Sequence, residues 1–595
     1  MPEHKRYASR YLTAVLVAAL SVNSFGQEPS SRVDNNDLPR QIGTYLSRLE
    51  GFGFSGASLV AKDGNVLVES AYGLANKQAN TPFRTDTIFD IGSISKQFTA
   101  AAILVLESEG KLRVSDSISK YLKGVPEDKA GITIHYLLTH TAGLAMEFGD
   151  DYEKVSRAEI IRRIMASELL SPPGQRHAYS NAGYSLLAAI VELVSAQSFE
   201  TFLRERLFRP AGMTSSGYFF PKSIMSKLAR GYKDGEDWGI GVEKAAATGG
   251  DFWNLIGNGG IHSTVGDMYR WIVALEQGKV LTKEARQKFF EPHVLVSANY
   301  LKSNSPLYYA YGWYVWKRLG KTVIFHLGGN GVFNAAVRYH VDERTAVVYA
   351  SNVSEFHDPD YPVPAIERML EGEAVQIPPR VLPLAQQQLA QYAGRYQSAA
   401  GAVLTVEAKS RFLRVEGEGQ EALSFVASGL WQKDVSLEAL NVRTAEAVEN
   451  SRTHKYDALL KVYGPEMTAE RLAESEALFW KKRHDRYGDY VRTRILGTLP
   501  LRSRKFVSRT IAAIDFERGI VYREYLWTPE GKIGDLGPIV AAPSSRYFPE
   551  SASCFVKFEP AAAIVSSRIC LEKNDAGRTI ATIALGERRV ELKSF

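Results

Sequence analysis

Residues 90–110 read Asp90-Ile91-Gly92-Ser93-Ile94-Ser95-Lys96-Gln97-Phe98-Thr99-Ala100-Ala101-Ala102-Ile103-Leu104-Val105-Leu106-Glu107-Ser108-Glu109-Gly110. From Lys96 to Leu106 apolar residues fall on nearly every face, the pattern of a helix buried all round. Gly110 supplies its stop. Ser93 stands where the chain enters that helix, and Lys96 follows one turn later. Residues three apart share a helix face, so the hydroxyl and the amine can meet. A helix start also presents unpaired N–H groups and the positive end of the dipole, which suit a developing anion. One turn therefore offers a nucleophile, a base and half of an oxyanion hole. The structural alternative is a capping serine beside a surface lysine. Ser-x-x-Lys occurs three times, at Ser93, Ser108 and Ser117, and Ser-Ile-Ser-Lys occurs twice. Ser108 lies at the polar end of the helix and Ser117 in a polar stretch between Gly110 and Gly124. Only Ser93 opens a buried helix.

The rest of the chain sets the context. Its 595 residues exceed one hydrophobic core, and the 45% hydrophobic and 23% charged residues are those of a globular protein. The net charge of +6 is not gathered into a basic stripe with interleaved aromatics, so no nucleic-acid partner is expected. Lys5, Arg6 and Arg10 precede an apolar run from Tyr11 to Val22, and Ser24-Phe25-Gly26 places small residues before Gln27. This is the pattern of a signal peptide over 1–26, followed by a disordered leader over 27–37. No cysteine lies near the cleavage point. The processed protein is expected to be periplasmic or secreted, without a stable membrane anchor. Cys554 and Cys570 could lie on neighbouring strands, and the reading leans to two buried thiols. No Cys/His cluster has zinc spacing, so no metal and no cofactor are expected.

Taken in order, Leu38–Leu49 reads as a helix. Phe54–Ala61 and Val66–Gly73 read as a hairpin around an Asp63-Gly64 turn. His135 and His140 fall in a short helix and loop over 132–144 and read as structural. Tyr179-Ser180-Asn181 lies on a loop just before a helix over Ser185–Gln197, a place where chemistry is often carried. Thr264 with Asp267 reads as a capping pair. Tyr311–Trp316, Thr322–Leu327, Ala335–His340 and Ala346–Ala350 read as strands of an antiparallel sheet. His326-Leu327-Gly328-Gly329 ends the second of them, where the glycines admit a close backbone or substrate. After a linker over 371–388, Leu404–Ala408, Phe412–Glu416 and Leu423–Ala427 read as strands. A charged helix follows over Thr468–Tyr487, with further strands at Tyr490–Leu496, Thr510–Phe516 and Val521–Trp527. Cys554–Phe558, Arg568–Glu572, Thr579–Leu585 and Arg589–Leu592 read as strands too.

Ser93-x-x-Lys96, Tyr179-x-Asn181 and His326-x-Gly328 stand in this order within residues 38–370. Together with Leu137-Leu138-Thr139-His140-Thr141-Ala142-Gly143-Leu144 and Gly259-Gly260-Ile261-His262-Ser263-Thr264, they resemble the serine β-lactamase-related family of class C β-lactamases, DD-peptidases, D-aminopeptidases and esterases. The resemblance implies an α/β (α+β) fold with an antiparallel sheet flanked by helices plus a helical lobe. The family signature pairs Ser-x-x-Lys with Ser-Asp-Asn and Lys-Thr-Gly. Here the counterparts are Tyr179-Ser180-Asn181 and His326-Leu327-Gly328, a pattern more similar to DD-peptidases and D-aminopeptidases than to true β-lactamases. The segment Leu389–Tyr396 looks like the start of a lipocalin-like extension over 389–595. Within it, residues near 455–540 resemble a cystatin-like α+β insert, and in the family such extensions border the cleft or drive oligomerisation.

The resemblance assigns Ser93 as nucleophile, with Lys96 or Tyr179 as general base and Tyr179 as proton donor to the leaving group. Asn181 would hold the substrate amide. The oxyanion would lie between the N–H groups of Ser93 and Gly329, with Gly328 beside it. His326 would tune the base and the substrate carboxylate, titrating near neutral pH as a free imidazole does. The expected activity is acyl-enzyme hydrolysis of a D-amino peptide, a peptidoglycan-like peptide or a short ester. A weakly catalytic or non-catalytic penicillin-binding-like protein is the alternative, and a β-lactamase is expected less.

Overall fold

The computed structural model describes residues 37–318, 320–354, 361–428, 435–465, 467–501, 505–539, 541–585 and 588–595. The expected signal peptide, and all of the leader except Asp37, lie outside the described residues. Two compact units are present. One runs through Val375 and includes Pro560–Ala562; the other comprises Gln376–Glu559 and Ala563–Phe595.

In the first unit, Leu38–Gly51 forms an amphipathic helix that buries Leu38, Ile42, Tyr45, Leu46 and Leu49. The hairpin Gly56–Lys62 and Asn65–Tyr72 turns on Asp63 and Gly64, both at positive φ (53° and 80°). That geometry matches the twist of the flanking strands. These strands edge an eight-stranded antiparallel sheet. Its order is Asn65–Tyr72, Gly56–Lys62, Thr345–Ser351, Asn334–His340, Lys321–Gly329, Tyr314–Arg318, Leu307–Tyr309 and Val294–Ser297. Every residue of Asn334–His340 and Thr345–Ser351 is buried, because both faces of the sheet are covered. Tyr311–Trp316 is not one strand. Pairing breaks between Tyr309 and Tyr314, and Gly312 takes φ +77°, where a Cβ would stand 2.8 Å from the carbonyl oxygen of Lys96. The break lets the backbone pass close over the start of the helix that follows Ser93.

That helix spans Lys96–Ser108, with every residue from Lys96 to Leu106 buried. It packs beside the helix Asn181–Ser195. Phe98 meets Phe208 and Trp271 with ring centroids 5.1 Å and 4.7 Å away. Thr264 caps the helix Val265–Glu276, accepting from the Asp267 N–H at 3.0 Å, as the spacing predicts. Among the described residues no single helix is long and apolar enough to cross a membrane.

The second unit holds a closed eight-stranded antiparallel barrel. It runs from Gly394–Ser398 to Arg588–Ser594 and closes through the pairing of Tyr396 with Ser594. Tyr396, Leu404, Val415, Tyr547, Phe555, Ile569 and Leu592 are among the side chains that fill it. Between Glu418 and Ser544 the described residues form four helices and a four-stranded sheet, an α+β part that starts well before the expected position near 455. Thr468 caps its helix Ala469–Tyr487, and Glu476 from that helix binds Arg523 at 2.8 Å in a buried ion pair. Two expectations are corrected. Leu423–Ala427 belongs to the helix Gln420–Ser428, not to a strand, since a short apolar run fits either element. Cys554 and Cys570 face each other on paired strands and form a disulfide rather than two thiols.

Candidate active site

The turn Gly92–Ser95 is a 3₁₀ turn that leads directly into the helix from Lys96. Ser93 is half-buried and reachable, whereas Lys96 is wholly buried. Lys96 Nζ lies 3.1 Å from Ser93 Oγ, 2.8 Å from Asn181 Oδ1 and 2.8 Å from the carbonyl oxygen of Asn258. It also stands 4.8 Å from the ring centroid of Tyr179. Burial pushes its pKa well below the usual lysine range, and the nearby Asp151 carboxylate opposes that fall. The two other Ser-x-x-Lys serines are elsewhere. Ser108 Oγ donates to the Leu104 carbonyl, and Ser117 donates to the Ala130 carbonyl while capping its own turn.

Tyr179 approaches from the loop before the Asn181–Ser195 helix. Its phenol pKa is driven far up by burial and by Tyr314, with a side-chain hydrogen bond to Ser93 pulling the other way. Ser180 caps the helix through the Gly183 N–H. His140 grips this loop: its ring lies tilted against Tyr179 with centroids 4.2 Å apart, its Nδ1 accepts from the Ser180 N–H at 3.1 Å, and its carbonyl accepts from the Ala178 N–H at 2.8 Å. With φ at +58°, His140 is the tight-loop residue that the sequence reading expects. His135 likewise serves packing, with Nδ1 2.7 Å from the Tyr311 hydroxyl. Asn181 points its Oδ1 at Lys96, which adds a role to the amide-holding one expected for it.

The strand Lys321–Gly329 forms the other wall. Gly328 lies against the turn so closely that a Cβ would stand 1.9 Å from the Ile91 carbonyl oxygen. Gly92 meets the same strand from below, its missing Cβ 2.5 Å from the Gly329 nitrogen. The His-x-Gly motif is therefore a backbone-contact motif here. Asp90 ties the two pieces together, accepting from the Gly92 N–H at 2.8 Å and from Asn330 Nδ2 at 2.9 Å. The Ser93 N–H lies in the first turn, where no intrahelical acceptor is available. His326 is buried beside Tyr309, whose hydroxyl is 3.3 Å from Nε2, and Nδ1 lies 2.7 Å from the Leu327 carbonyl oxygen. Burial, and secondarily Lys96, lower its pKa to about 3. The expectation of a ring titrating near neutrality is thus overturned, since desolvation disfavours the imidazolium.

All seven residues expected from the sequence, Ser93, Lys96, Tyr179, Asn181, His326, Gly328 and Gly329, come to this one cleft. Asn258, Asp90, Asn330 and Asp151 join them without having been singled out. Asn258 lies in a Gly-Asn-Gly-Gly run whose only signal was its glycine content, because it contributes a backbone carbonyl. Asp151, in a loop without periodicity, has its pKa raised to about 6, first by burial and then by Asp90 and Glu147.

A family profile described as Beta-lactamase matches residues 48–367, more than half the chain. Penicillin-binding protein 4* of Bacillus subtilis (strain 168) is 27% identical over 391 residues, which is 61% of this chain and 84% of that protein. The D-alanyl-D-alanine-carboxypeptidase/endopeptidase AmpH of Escherichia coli (strain K12) is 27% identical over 275 residues, 44% of this chain and 68% of its own. Among solved structures, an octameric penicillin-binding protein homologue from Pyrococcus abyssi covers 94% of this chain and 100% of its own, at 18% identity and a TM-score of 0.50, a likeness of fold. The chain belongs to the Beta-lactamase family, a family of serine hydrolases with penicillin-binding proteins and DD-peptidases among its members.

Proposed function

We propose that this protein is an exported serine hydrolase that attacks an amide or ester carbonyl with Ser93 and passes through an acyl-enzyme. The observation that carries the reading is the buried Lys96 amine 3.1 Å from Ser93 Oγ. A serine hydroxyl is a weak nucleophile until a base takes its proton. Burial favours the neutral amine, which has two N–H donors and one lone pair. Asn181 Oδ1 and the Asn258 carbonyl only accept. They take the two N–H groups and leave the lone pair facing the Ser93 hydroxyl. Burial equally holds Tyr179 as a neutral phenol, so both shifts favour Lys96 as base and Tyr179 as donor.

In this mechanism the Ser93 proton passes to Lys96 as the Oγ–carbon bond forms. The developing oxyanion is received by the N–H groups of Ser93 and Gly329. Tyr179 gives its proton to the departing amine or alkoxide and is reprotonated from Lys96. Water then attacks the acyl-enzyme with the same groups acting in reverse. His326 stays neutral and supports the wall through Tyr309, so it offers no fixed cation to a substrate carboxylate; this counts against efficient β-lactam turnover. The name of one bacterial relative, a D-alanyl-D-alanine-carboxypeptidase/endopeptidase, supports a D-amino peptide as substrate. The basic and apolar pattern of residues 1–26 supports export. The test is turnover of a panel of D-amino peptides, short esters and β-lactams. Ser93→Ala should abolish it and Ser117→Ala should leave it unchanged. Substantial residual hydrolysis by Ser93→Ala would overturn the assignment.

A further inference from the structure

We infer that His140 is a positioning residue for the reaction: it holds Tyr179 with the phenol against Ser93 and so governs proton delivery to the leaving group, while taking no proton itself. The inference rests on the serine hydrolase reading and adds a residue to it.

His140 pins three successive residues of the Tyr179 loop. Its carbonyl holds the Ala178 N–H at 2.8 Å and its Nδ1 holds the Ser180 N–H at 3.1 Å. Between them the ring lies against Tyr179, with centroids 4.2 Å apart and planes 34° from parallel. The hold carries on to Asn181. Ser180 Oγ donates to the Ala145 carbonyl at 2.7 Å and accepts from the Gly183 N–H at 3.1 Å. These bonds fix the helix turn from which Asn181 presents Oδ1 to Lys96. On its other sides the His140 ring meets Tyr309 at 4.7 Å, Tyr184 at 5.0 Å and His177 at 5.9 Å. Tyr184 is itself tied, donating to the Leu138 carbonyl at 2.8 Å. The imidazole is a wedge with little room to yield. For Tyr179 it is much nearer than the Tyr309 and His326 rings, each 6.4 Å away.

Two features set this apart from ordinary packing. The backbone at His140 has φ +58°, a region that most side chains avoid and that persists only where the surroundings enforce it. The surrounding turn enforces it through the Thr141 N–H on the Tyr136 carbonyl at 2.9 Å and the Gly174 N–H on the Thr141 carbonyl at 2.7 Å. In that conformation the carbonyl and the ring of one residue both reach the Tyr179 loop. The second feature is the state of the ring. Burial, and after it His177, Lys96 and His326, oppose its charging. A neutral imidazole that accepts at Nδ1 carries its hydrogen on Nε2. Nε2 is buried without a hydrogen-bond partner among the described residues. One nitrogen is occupied and the other has no free lone pair, so the ring can neither take the Ser93 proton nor bind a metal. Its contribution is geometric, and reacting groups displaced by about 1 Å lose about 10²-fold in rate.

The test uses the full chain with the acetate esters of p-nitrophenol, phenol, trifluoroethanol and ethanol. All form the same acetyl-enzyme, so differences in kcat/KM arise in acylation. p-Nitrophenolate departs as an anion, whereas ethoxide needs the proton that Tyr179 carries. His140→Gly accepts the left-handed backbone and removes the ring and the acceptor. His140→Asn also accepts that backbone and offers an amide oxygen to the Ser180 N–H. Each should lose less than about tenfold on the p-nitrophenyl ester and about 10²-fold or more on the ethyl ester, with the glycine variant the worse. Tyr179→Phe should show the same trend, and adding His140→Gly to it should cost little more. Equal losses on every ester, or losses that multiply in the double variant, would overturn the inference. A second arm needs no turnover. With tyrosine labelled with carbon-13 at Cζ, the Tyr179 resonance is identified by its absence in Tyr179→Phe. Ser93→Ala should shift that resonance when His140 is present and leave it unmoved in His140→Gly. The same shift in both backgrounds would overturn the positioning role. Absence of turnover on every ester by the wild type, with the resonance coupling lost in His140→Gly, would instead overturn the hydrolase reading alone.

Discussion

Replacing Gly328 by alanine tests how the cleft is built. A Cβ at this position would lie 1.9 Å from the Ile91 carbonyl oxygen and 2.8 Å from its carbon. Favourable contacts begin near 3.5 Å, so the strand must withdraw by roughly 1.5 Å. The carbonyl cannot give way freely, since it accepts from the Ile94 N–H at 3.2 Å inside the turn that carries Ser93. Overpacking of this kind costs about 1–3 kcal/mol. Misplacing the reacting groups by about 1 Å costs about 10²-fold in rate. Gly328→Ala should therefore lose about 10²-fold or more in kcat/KM on an ester substrate. Its melting temperature should fall by about 2–4 °C per kcal/mol. Gly329→Ala is the contrast for stability: its Cβ meets nothing closer than 3.6 Å, and its melting temperature should stay near that of the wild type. A Gly328→Ala enzyme within twofold of wild-type kcat/KM would refute the close-contact account.

Lys96→Ala and Tyr179→Phe should each slow acylation strongly, measured by burst kinetics, with non-additive losses because both act on one proton path; fully multiplicative losses would assign them to separate steps. The base form of Lys96 is the unprotonated one, so kcat/KM should fall as pH falls through its lowered pKa. Because His326 has a pKa of about 3, His326→Gln should leave that limb in place, and loss of the limb in the variant would contradict the assignment. Asp151 has a folded-state pKa of about 6 against 3.8, so the folded state binds its proton more tightly. The associated stability is present below pH 3.8 and lost as pH rises through 6. Asp151→Asn should thus gain up to about 3 kcal/mol at pH 8 and little at pH 3 in denaturant melts; equal gains at both would show that the carboxylate is not strained.

The helix after Ser93 was legible because it is buried on every face, a pattern that no surface helix with an N-cap serine produces. The Asp63-Gly64 turn and the Thr264 cap were legible for the same local reason. Tyr179-x-Asn181 and His326-x-Gly328 gained meaning only in combination with Ser93, and their grouping in one cleft depends on tertiary pairing. Asn258 could not be found because a carbonyl has no residue type. Asp151 acts through its surroundings, and so does the low pKa of His326, which follows from burial that one histidine on a strand does not announce. The disulfide required the register that sets Cys554 opposite Cys570. The helix Val435–Arg452 was missed because its apolar residues give only a weak amphipathic pattern.

The central claim is that Ser93 becomes acylated with Lys96 as its base. Wild-type protein mixed with p-nitrophenyl acetate, quenched in acid within one turnover and mapped by peptide mass spectrometry, tests it most directly. The account predicts an acetyl group on Ser93, lost in Ser93→Ala and strongly reduced in Lys96→Ala, with the Ser117 peptide unmodified. Acetyl on Ser117 or on another residue, or a product burst with no adduct on Ser93, would contradict it.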